Sequence, residues 1–244
     1  MGTADKRDTQ RESELAESHE EALYFITHEL KNAVIAISGF AKRLMRTEED
    51  PDRRQQLKII YDQTKFLETV SARYLLSAQL QKGELEVSPE PIADFYDEVI
   101  SPVIEVLSKG APEPFEKARE QWEKRKPIEI MGDKNLLRVV YQNLLGNAMK
   151  YREPEGDISF GVQELEEGYQ FNVWNNGPGV KSDETEKIFD KFYRGENGTA
   201  RNSRGTGLGL YNVRQIIESH GGRIWCETRP GEWINFVFTL PKHQ

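Results

Sequence analysis

The sequence contains very little cysteine and no long hydrophobic run. Cys226 is the only cysteine among 244 residues, so an intramolecular disulfide is excluded and a reducing compartment is expected. The longest apolar run, AVIAISGFA at residues 33–41, is about half of the roughly twenty residues that a membrane-spanning helix needs. The charged N-terminus also lacks the apolar segment of a secretory signal. We therefore expect a soluble, cytoplasmic chain.

An excess of basic charge is also missing. The formal net charge is −8 and the pI is about 5.3. Proteins that bind nucleic acid neutralise phosphates with clustered lysine and arginine. The composition therefore argues against a nucleic-acid partner.

A heptad pattern dominates the first part of the chain and predicts a helix from about residue 20 to residue 46. Its apolar positions alternate in steps of three and four residues and form one narrow seam: Leu23, Ile26, Leu30, Ala33, Ile37, Phe40 and Leu44. With Leu23 at position a, His28 falls at position f and faces away from the seam. A lone surface histidine is usually only solvated, so His28 by itself indicates no function.

A second helix is expected from about residue 52 to residue 81, after the break TEEDPDRR, in which Pro51 suits a first helical turn. Two such helices joined by a short turn form an antiparallel hairpin. A single hairpin leaves apolar surface exposed, so we expect two copies to pair into a four-helix bundle. We assign residues 1–20 to a lead-in and residues 21–84 to this helical domain.

Residues 85–244 have the pattern of a separate α+β domain. Helices are expected over about 93–107 and over KNLLRVVYQNLLGNAMKY at 134–151, and strands at ELEVSPEPI and IEIMGD. DISFGVQEL and YQFNVWNN read as a hairpin, and residues 221–240 read as two further alternating strands. We expect an α/β sandwich in which one sheet carries helices on one face.

Three features of this domain suggest a nucleotide site. RGTGLGL precedes a helix, and glycines at a helix N-terminus let backbone N–H groups approach phosphate. NNGPGV follows a strand, and Asn143 and Asn147 share one helix face. The segment from Phe189 and Phe192 to the glycine loop suits a mobile lid. Each feature alone also fits a structural role, in a packed loop, a polar bridge or the core.

The order of these features resembles the sensor histidine kinases of two-component signalling, over nearly the whole chain from about residue 20. Five motifs carry the resemblance in the family's order. They are an H-box THELKN (27–32), an N-box NLLGNAMKY (143–151), a G1 box NNGPGV (175–180), an F-box IFDKFYR (188–194) and a G2 box RGTGLGLYNV (204–213).

The resemblance implies a fold and a reaction. The hairpin would be the dimerisation and phosphotransfer domain of a homodimer. Residues 85–244 would form an ATP-binding domain of the gyrase (Bergerat) type. His28 would attack the γ-phosphate of ATP and pass the phosphoryl group to an aspartate of a response regulator. Glu29 would accept or orient the proton on the other ring nitrogen, and Asn32 would orient a water that dephosphorylates the regulator.

The resemblance also implies how the nucleotide would be held. Asn147 would ligate Mg²⁺ through its amide oxygen, a donor type that this ion accepts. Arg194 would approach the γ-phosphate. The remaining positions would contact the adenine, ribose or phosphates: Asn143, Lys150, Tyr151, Asn175, Gly177, Gly179, Gly205, Thr206, Gly207, Leu208 and Gly209.

The sequence departs from the family at Asn175, where the G1 box usually has an aspartate that accepts a hydrogen bond from the adenine amino group. A neutral acceptor makes a bond weaker by on the order of 1 kcal/mol. We therefore expect ATP binding weakened by roughly tenfold or less. Because an amide can also donate, some tolerance of guanine is a further hypothesis.

Two other departures concern the helices. Ala33 occupies a position where the family usually has proline, so the first helix should be straighter near His28. Residues 110–127 lie where the family often has a strand, but EKAREQWEKRK reads as a charged, solvated surface helix.

Two other functional readings stay open. The chain could be a non-catalytic dimeric scaffold with a degenerate ATP site, with Asn175 and Ala33 as signs of decay. It could also be another ATPase of the same superfamily. No sensor domain is visible in these residues. We expect the sensor, or an anchor in the membrane, to lie elsewhere in a longer receptor.

Overall fold

The computed structural model describes residues 26–27, 30–82, 87–108, 113–195 and 205–242. The chain divides into two compact units, Met1–Glu84 and Leu85–Gln244. His28, Glu29 and Leu23 of the first unit lie outside the described residues, as does the segment 196–204 of the second. Within the described ranges, no helix combines the length and the apolar character needed to cross a membrane.

The described residues of the first unit form two helices. Helix α1 covers residues 30–45, and residues 26–27 are also helical. Helix α2 runs over Pro51–Lys82, close to the predicted range. The Asp50 carboxylate accepts hydrogen bonds from the backbone N–H groups of Asp52 and Arg53, at 2.9 and 3.2 Å. This side-chain cap and Pro51 in the first turn explain why α2 begins there.

The buried positions of the hairpin are not those of the heptad seam. On α1, Val34, Ser38 and Ala41 are buried. On α2 the buried residues are also mostly small: Thr64, Ser71, Leu75 and Ser77. The described seam residues are instead exposed, including Phe40 at 65%. A single copy therefore carries an uncovered apolar stripe along α1.

The second unit contains two antiparallel sheets instead of the one expected. Strands β1 (Glu90–Ile92) and β2 (Ile130–Gly132) pair with each other. The larger sheet has the order β3-β4-β6-β5. Its strands are β3 (Ile158–Glu164), β4 (Gly168–Asn176), β5 (Arg223–Arg229) and β6 (Trp233–Pro241). The predicted α+β sandwich is confirmed.

Helices cover one face of the larger sheet. A π-helical turn, Tyr96–Ile100, leads into α3, Ser101–Leu107. Helices α5 (Lys134–Tyr151) and α6 (Gly209–Ser219) pack on the strands. An aromatic cluster joins the layers: the Phe171 ring lies 4.5 Å from Phe95 and 5.1 Å from Phe238, and Tyr141 contacts both Phe95 and Phe238. Burial of such rings is a main source of core stability.

Helix α4 (Glu113–Glu123) is not the solvated surface helix expected from its charge. Phe115, Ala118 and Trp122 are buried, and this spacing places them on one face. The Trp122 Nε1–H donates to the Phe160 carbonyl at 3.0 Å, and Arg125 donates to the Val162 carbonyl at 2.6 Å. Both carbonyls belong to β3, an edge strand. The helix therefore covers an edge that would otherwise be open to another strand.

Candidate nucleotide-binding site

Helix α5 positions the two asparagines of the site. Asp133 caps its first turn by accepting from the N–H groups of Asn135 and Leu136. Ten residues later, the buried Asn143 donates from Nδ2 to the Val139 carbonyl at 2.8 Å. Its Oδ1 faces α6, where an added Cβ on Gly209 would lie 2.8 Å away. Asn147, one turn further along, is half-buried.

The C-terminal end of α5 lies against the turn after β4. Lys150 is exposed, with its Nζ 4.8 Å from the centre of the Tyr151 ring. A Cβ on Gly177 would lie 2.5 Å from the Tyr151 carbonyl oxygen, and Gly177 has φ +152°. The Gly177 N–H also donates to the Glu232 carbonyl at 2.9 Å. Glycine is therefore required where α5 meets the turn.

Asn175 is 2% exposed. Its Nδ2 donates to the carbonyl of Asn176 at 2.8 Å. This bond occupies a donor of the amide and leaves Oδ1 as the acceptor for a ligand. An aspartate could not make the same bond when ionised, because both of its oxygens are acceptors.

The second glycine of this turn is also required by its surroundings. Gly179 has φ +58°, and a Cβ there would lie 2.6 Å from Oγ1 of Thr228. The same hydroxyl oxygen accepts from the Val180 N–H at 3.1 Å. Thr228 therefore connects the turn to β5.

The two phenylalanines expected to anchor the lid differ in burial and in backbone conformation. Phe189 is buried, and the Arg214 guanidinium of α6 lies 4.6 Å over its ring. Phe192 is 56% exposed and has a left-handed backbone, φ +67°. Its N–H donates to the Gly207 carbonyl at 3.1 Å. Only Phe189 is a core residue.

The glycine loop leads directly into α6. Gly207 has φ +71°, and a Cβ there would lie 2.5 Å from the Phe192 carbonyl carbon. The Thr206 Oγ1 accepts from the N–H of the buried Leu208 at 3.3 Å. Gly205 is half-buried just before this turn. The loop therefore places backbone next to the helix start, where N–H groups can receive phosphate.

Two contacts near the site were not predicted. Glu184 is buried and accepts a hydrogen bond from the Tyr193 hydroxyl at 2.8 Å. At the other end of α6, the buried His220 joins this helix to the start of α5: Nδ1 bonds to the Ile216 carbonyl at 2.8 Å, and Nε2 accepts from the Asp133 N–H at 3.0 Å. Glu184 and His220 both lie in polar stretches of the sequence, and only the folded structure shows their hydrogen-bond partners.

The donor set fits a nucleotide with Mg²⁺ better than a metal held by protein alone. Among the described residues, no group of three or more His, Cys, Asp or Glu side chains could hold a metal ion. Asn147 offers one half-buried amide, and Mg²⁺ is often held by few protein groups beside phosphate oxygens and waters. Four glycines of these motifs would collide with protein atoms if they carried a Cβ: Gly177, Gly179, Gly207 and Gly209.

The residues expected to react belong to the helical unit. Asn32 is exposed on α1. Arg194, which would approach the γ-phosphate, belongs to the second unit and is exposed at the end of the F-box segment. His28 and Glu29 lie outside the described residues. The structure therefore groups the nucleotide-site residues within Leu85–Gln244 and places Asn32 in the other unit.

Both units match known protein families. Residues 132–244 match the model of the histidine kinase-, DNA gyrase B-, and HSP90-like ATPase. Residues 18–83 match the model of the His Kinase A (phospho-acceptor) domain. Together these two matches span most of the chain.

Whole-chain comparisons give similar results. The chain is 28% identical over 236 residues to sensor protein RprX of Bacteroides fragilis, covering 95% of this chain and 45% of that protein. It is 29% identical over 247 residues to sensor protein KdpD of Escherichia coli, covering 98% of this chain and 26% of that protein. The chain thus spans less than half of the length of these relatives.

One solved structure is similar to this chain over most of its length. Full-length ShkA in complex with AMPPNP is 25% identical, with a TM-score of 0.71. The match covers 91% of this chain and 45% of that one.

Proposed function

Because the chain belongs to the sensor histidine kinases of two-component systems, we propose that it phosphorylates His28 with ATP. It then transfers the phosphoryl group to an aspartate of a response regulator. The observation that carries the proposal is the contact between α5 and the glycine-led start of α6, at Asn143 and Gly209. This contact joins the two motifs that would hold the phosphates. The complex of ShkA with AMPPNP, an ATP analogue, supports the same reading.

The chemistry follows from the residue types. A ring nitrogen of His28 attacks the γ-phosphorus of ATP, a P–N bond forms, and ADP leaves with the electrons of the broken P–O bond. Glu29 holds or accepts the proton on the other ring nitrogen, which keeps the attacking nitrogen basic. Asn147 would hold Mg²⁺ through its amide oxygen. When bound, this ion neutralises charge that develops on the phosphates.

The nucleotide is held by side chains and by loop backbone. The Asn175 Oδ1 accepts from the adenine amino group, and Gly177 and Gly179 let the base lie close to the turn. Asn143, Lys150 and Tyr151 line the ribose and phosphates, and Arg194 approaches the γ-phosphate. The loop over Gly205, Thr206, Gly207, Leu208 and Gly209 faces the phosphates with backbone N–H groups.

The partner that covers the exposed stripe of α1 is a second copy of the chain. Leu30, Ile37, Phe40 and Leu44 are all about half exposed or more, and their three- and four-residue spacing suits a bundle seam. A homodimer would bury these residues in a four-helix bundle. Within these residues we assign a lead-in (1–20), a dimerisation and phosphotransfer domain (21–84) and a catalytic domain (85–244).

Asn32 gives the protein a second activity, dephosphorylation of the same response regulator. Asn32 follows His28 by four residues in the sequence and is exposed on α1, so its amide can orient a water for attack on the aspartyl phosphate. Asn32→Ala should lower the rate at which the chain dephosphorylates a phosphorylated regulator, while labelling of His28 is retained. An unchanged rate would remove this activity from the proposal.

Label transfer from γ-labelled ATP tests the kinase activity. In the presence of Mg²⁺ the chain should acquire label that is labile in acid and stable in alkali, as a phosphoramidate is. α-Labelled ATP should leave no label, which controls for retained nucleotide. A chain that binds ATP but acquires no label would instead be a signalling scaffold. ATP hydrolysis without label on the chain would indicate another ATPase of the superfamily.

A further inference from the structure

A buried carboxylate lies directly beside the segment that ends in Arg194. Glu184 is 7% exposed and sits between the turn after β4 and the short 3₁₀ helix Lys187–Phe189. Its Oε1 accepts from the Tyr193 hydroxyl at 2.8 Å, and its Oε2 accepts from the Lys181 N–H at 3.2 Å. Hydrogen bonds to an ionised acceptor are about twice as strong as neutral ones.

The chain on the far side of Arg194 lies close to the same carboxylate. A Cβ on Gly195 would lie 3.1 Å from the Glu184 Oε1. Tyr193 is therefore bonded to Glu184 and Gly195 lies near it, on either side of Arg194. The exposed Arg194 side chain extends from this segment.

A second contact ties this segment to the glycine loop. The Phe192 N–H donates to the Gly207 carbonyl at 3.1 Å. A left-handed backbone at a non-glycine residue such as Phe192 is strained and persists only where its surroundings enforce it. The segment that carries Tyr193 and Arg194 is thus placed next to the loop that would receive the phosphates.

We propose that Glu184 and Tyr193 are positioning residues that hold Arg194 toward the γ-phosphate and so make the site prefer ATP to ADP. This inference rests on the proposed function. In this proposal Tyr193 acts through Arg194 and not by contact with the nucleotide. The bond from its hydroxyl to Glu184 restrains the segment from which Arg194 extends, so that arginine loses less conformational freedom on binding.

The test compares the affinities of ATP and ADP for the whole chain, measured by calorimetry with Mg²⁺. Tyr193→Phe removes only the hydroxyl and should weaken ATP binding by roughly three- to tenfold while ADP binding is unchanged. Arg194→Ala should reduce the preference for ATP at least as much. In the double variant, Tyr193→Phe should have no further effect, because it acts through Arg194.

Tyr169→Phe is the matched control, because this half-buried tyrosine lies on β4 and contacts Phe171 and Lys242. It should retain the parental ratio of ATP to ADP affinity. Glu184→Gln, which keeps one acceptor oxygen, should reproduce the effect of Tyr193→Phe in part.

Several results would overturn the inference. One is an equal loss of ATP and ADP affinity in Tyr193→Phe, which would indicate a purely structural role. A second is that Tyr193→Phe keeps the parental ratio of ATP to ADP affinity while Arg194→Ala lowers it. A third is that the effects of the two substitutions add in the double variant. If the parent bound both nucleotides equally, the inference would fail and the proposed function would stand. If it bound neither, both would fail.

Discussion

Gly209, the first residue of α6, lies against the amide oxygen of Asn143 on α5: a Cβ at position 209 would be 2.8 Å from Oδ1. Real Cβ atoms do not approach that closely, so any larger residue must displace the amide. Asn143 has little room to move, because its Nδ2 is bonded to the Val139 carbonyl and the residue is buried. The N-box helix and the glycine loop therefore fit together only while position 209 is glycine.

The first prediction concerns this contact. Gly209→Ala should weaken ATP binding by on the order of tenfold, because the displaced amide disturbs the α5–α6 contact beside the phosphates. Gly146→Ala is the control: it lies within α5 with nothing within 4 Å of an added Cβ. It should leave binding unchanged and raise the free energy of unfolding by about 0.5–1 kcal/mol, as alanine favours helix over glycine. Calorimetry and urea unfolding provide both readouts. Equal binding losses in the two variants would refute the explanation.

The second prediction concerns Asn175. Asn175→Asp replaces the N–H that donates to the Asn176 carbonyl with an oxygen, in a residue that is 2% exposed. The free energy of unfolding without nucleotide should fall by about 1–3 kcal/mol. Asn172→Asp is the control, because that half-exposed residue donates from Nδ2 to the Asn235 side chain at 3.2 Å. Asn172→Asp should lower the free energy of unfolding by less than Asn175→Asp does. Urea unfolding at neutral pH measures both variants.

The same amide bears on the choice of base. One of the two N–H donors of Nδ2 is bonded to the Asn176 carbonyl, which orients the amide and leaves Oδ1 as the acceptor for the adenine amino group. This orientation favours adenine over guanine, which offers its O6 acceptor at the same position. GTP should therefore fail to displace ATP at equal concentration. Efficient competition by GTP would show that the amide turns.

The third prediction concerns pH. Burial lowers the pKa of His220, partly offset by its bond to the Ile216 carbonyl and by the nearby Asp133. The folded state thus binds this proton less readily than the unfolded state. The neutral His220 ring therefore stabilises the folded state. This contribution is complete above the pKa that histidine has in the unfolded chain, about 6.5, and is lost as the pH falls through the pKa of His220 in the folded state. Denaturant unfolding at about pH 7.5 and about pH 5.5 should show this loss, with a smaller one in His220→Gln. The same loss in both proteins would contradict the role of His220.

The fourth prediction concerns the exposed stripe of α1. Phe40→Asp should weaken dimerisation by roughly a hundredfold or more, because each of two phenylalanines loses about 1.5–3 kcal/mol of burial. Lys42→Asp introduces the same side chain at heptad position f and should leave the dimer intact. Sedimentation equilibrium measures both. A monomeric parent, or dissociation by Lys42→Asp alone, would show that the stripe is not the interface.

The sequence predicts best where local chemistry decides the structure. Helix α5 occupies the predicted range because Asp133 caps its start and an apolar face follows. The hairpin of β3 and β4 follows from alternating residues and a short turn. The glycines at 177, 179 and 207 were recognisable from the motifs NNGPGV and RGTGLGL. In the structure each has a positive φ and a close neighbour that would collide with a Cβ.

Contacts made across the fold were less predictable. Helix α4 was read as solvated from its charges, whereas Trp122 and Arg125 find acceptors on the edge strand β3. The hairpin is joined through small residues such as Ser38 and Ala41, because the large seam residues face outward. The contact between Glu184 and Tyr193 depends on the path of a loop, and no periodicity in the sequence marks it.

The most direct test of the central claim is to locate the phosphoryl group. The whole chain is incubated with ATP and Mg²⁺, digested at neutral pH and mapped by mass spectrometry, beside His28→Gln and Asn147→Ala. We predict phosphate on the His28 imidazole of the parent and none on either variant. Phosphate on another residue of the parent, or on His28 of Asn147→Ala at the parental level, would contradict the account.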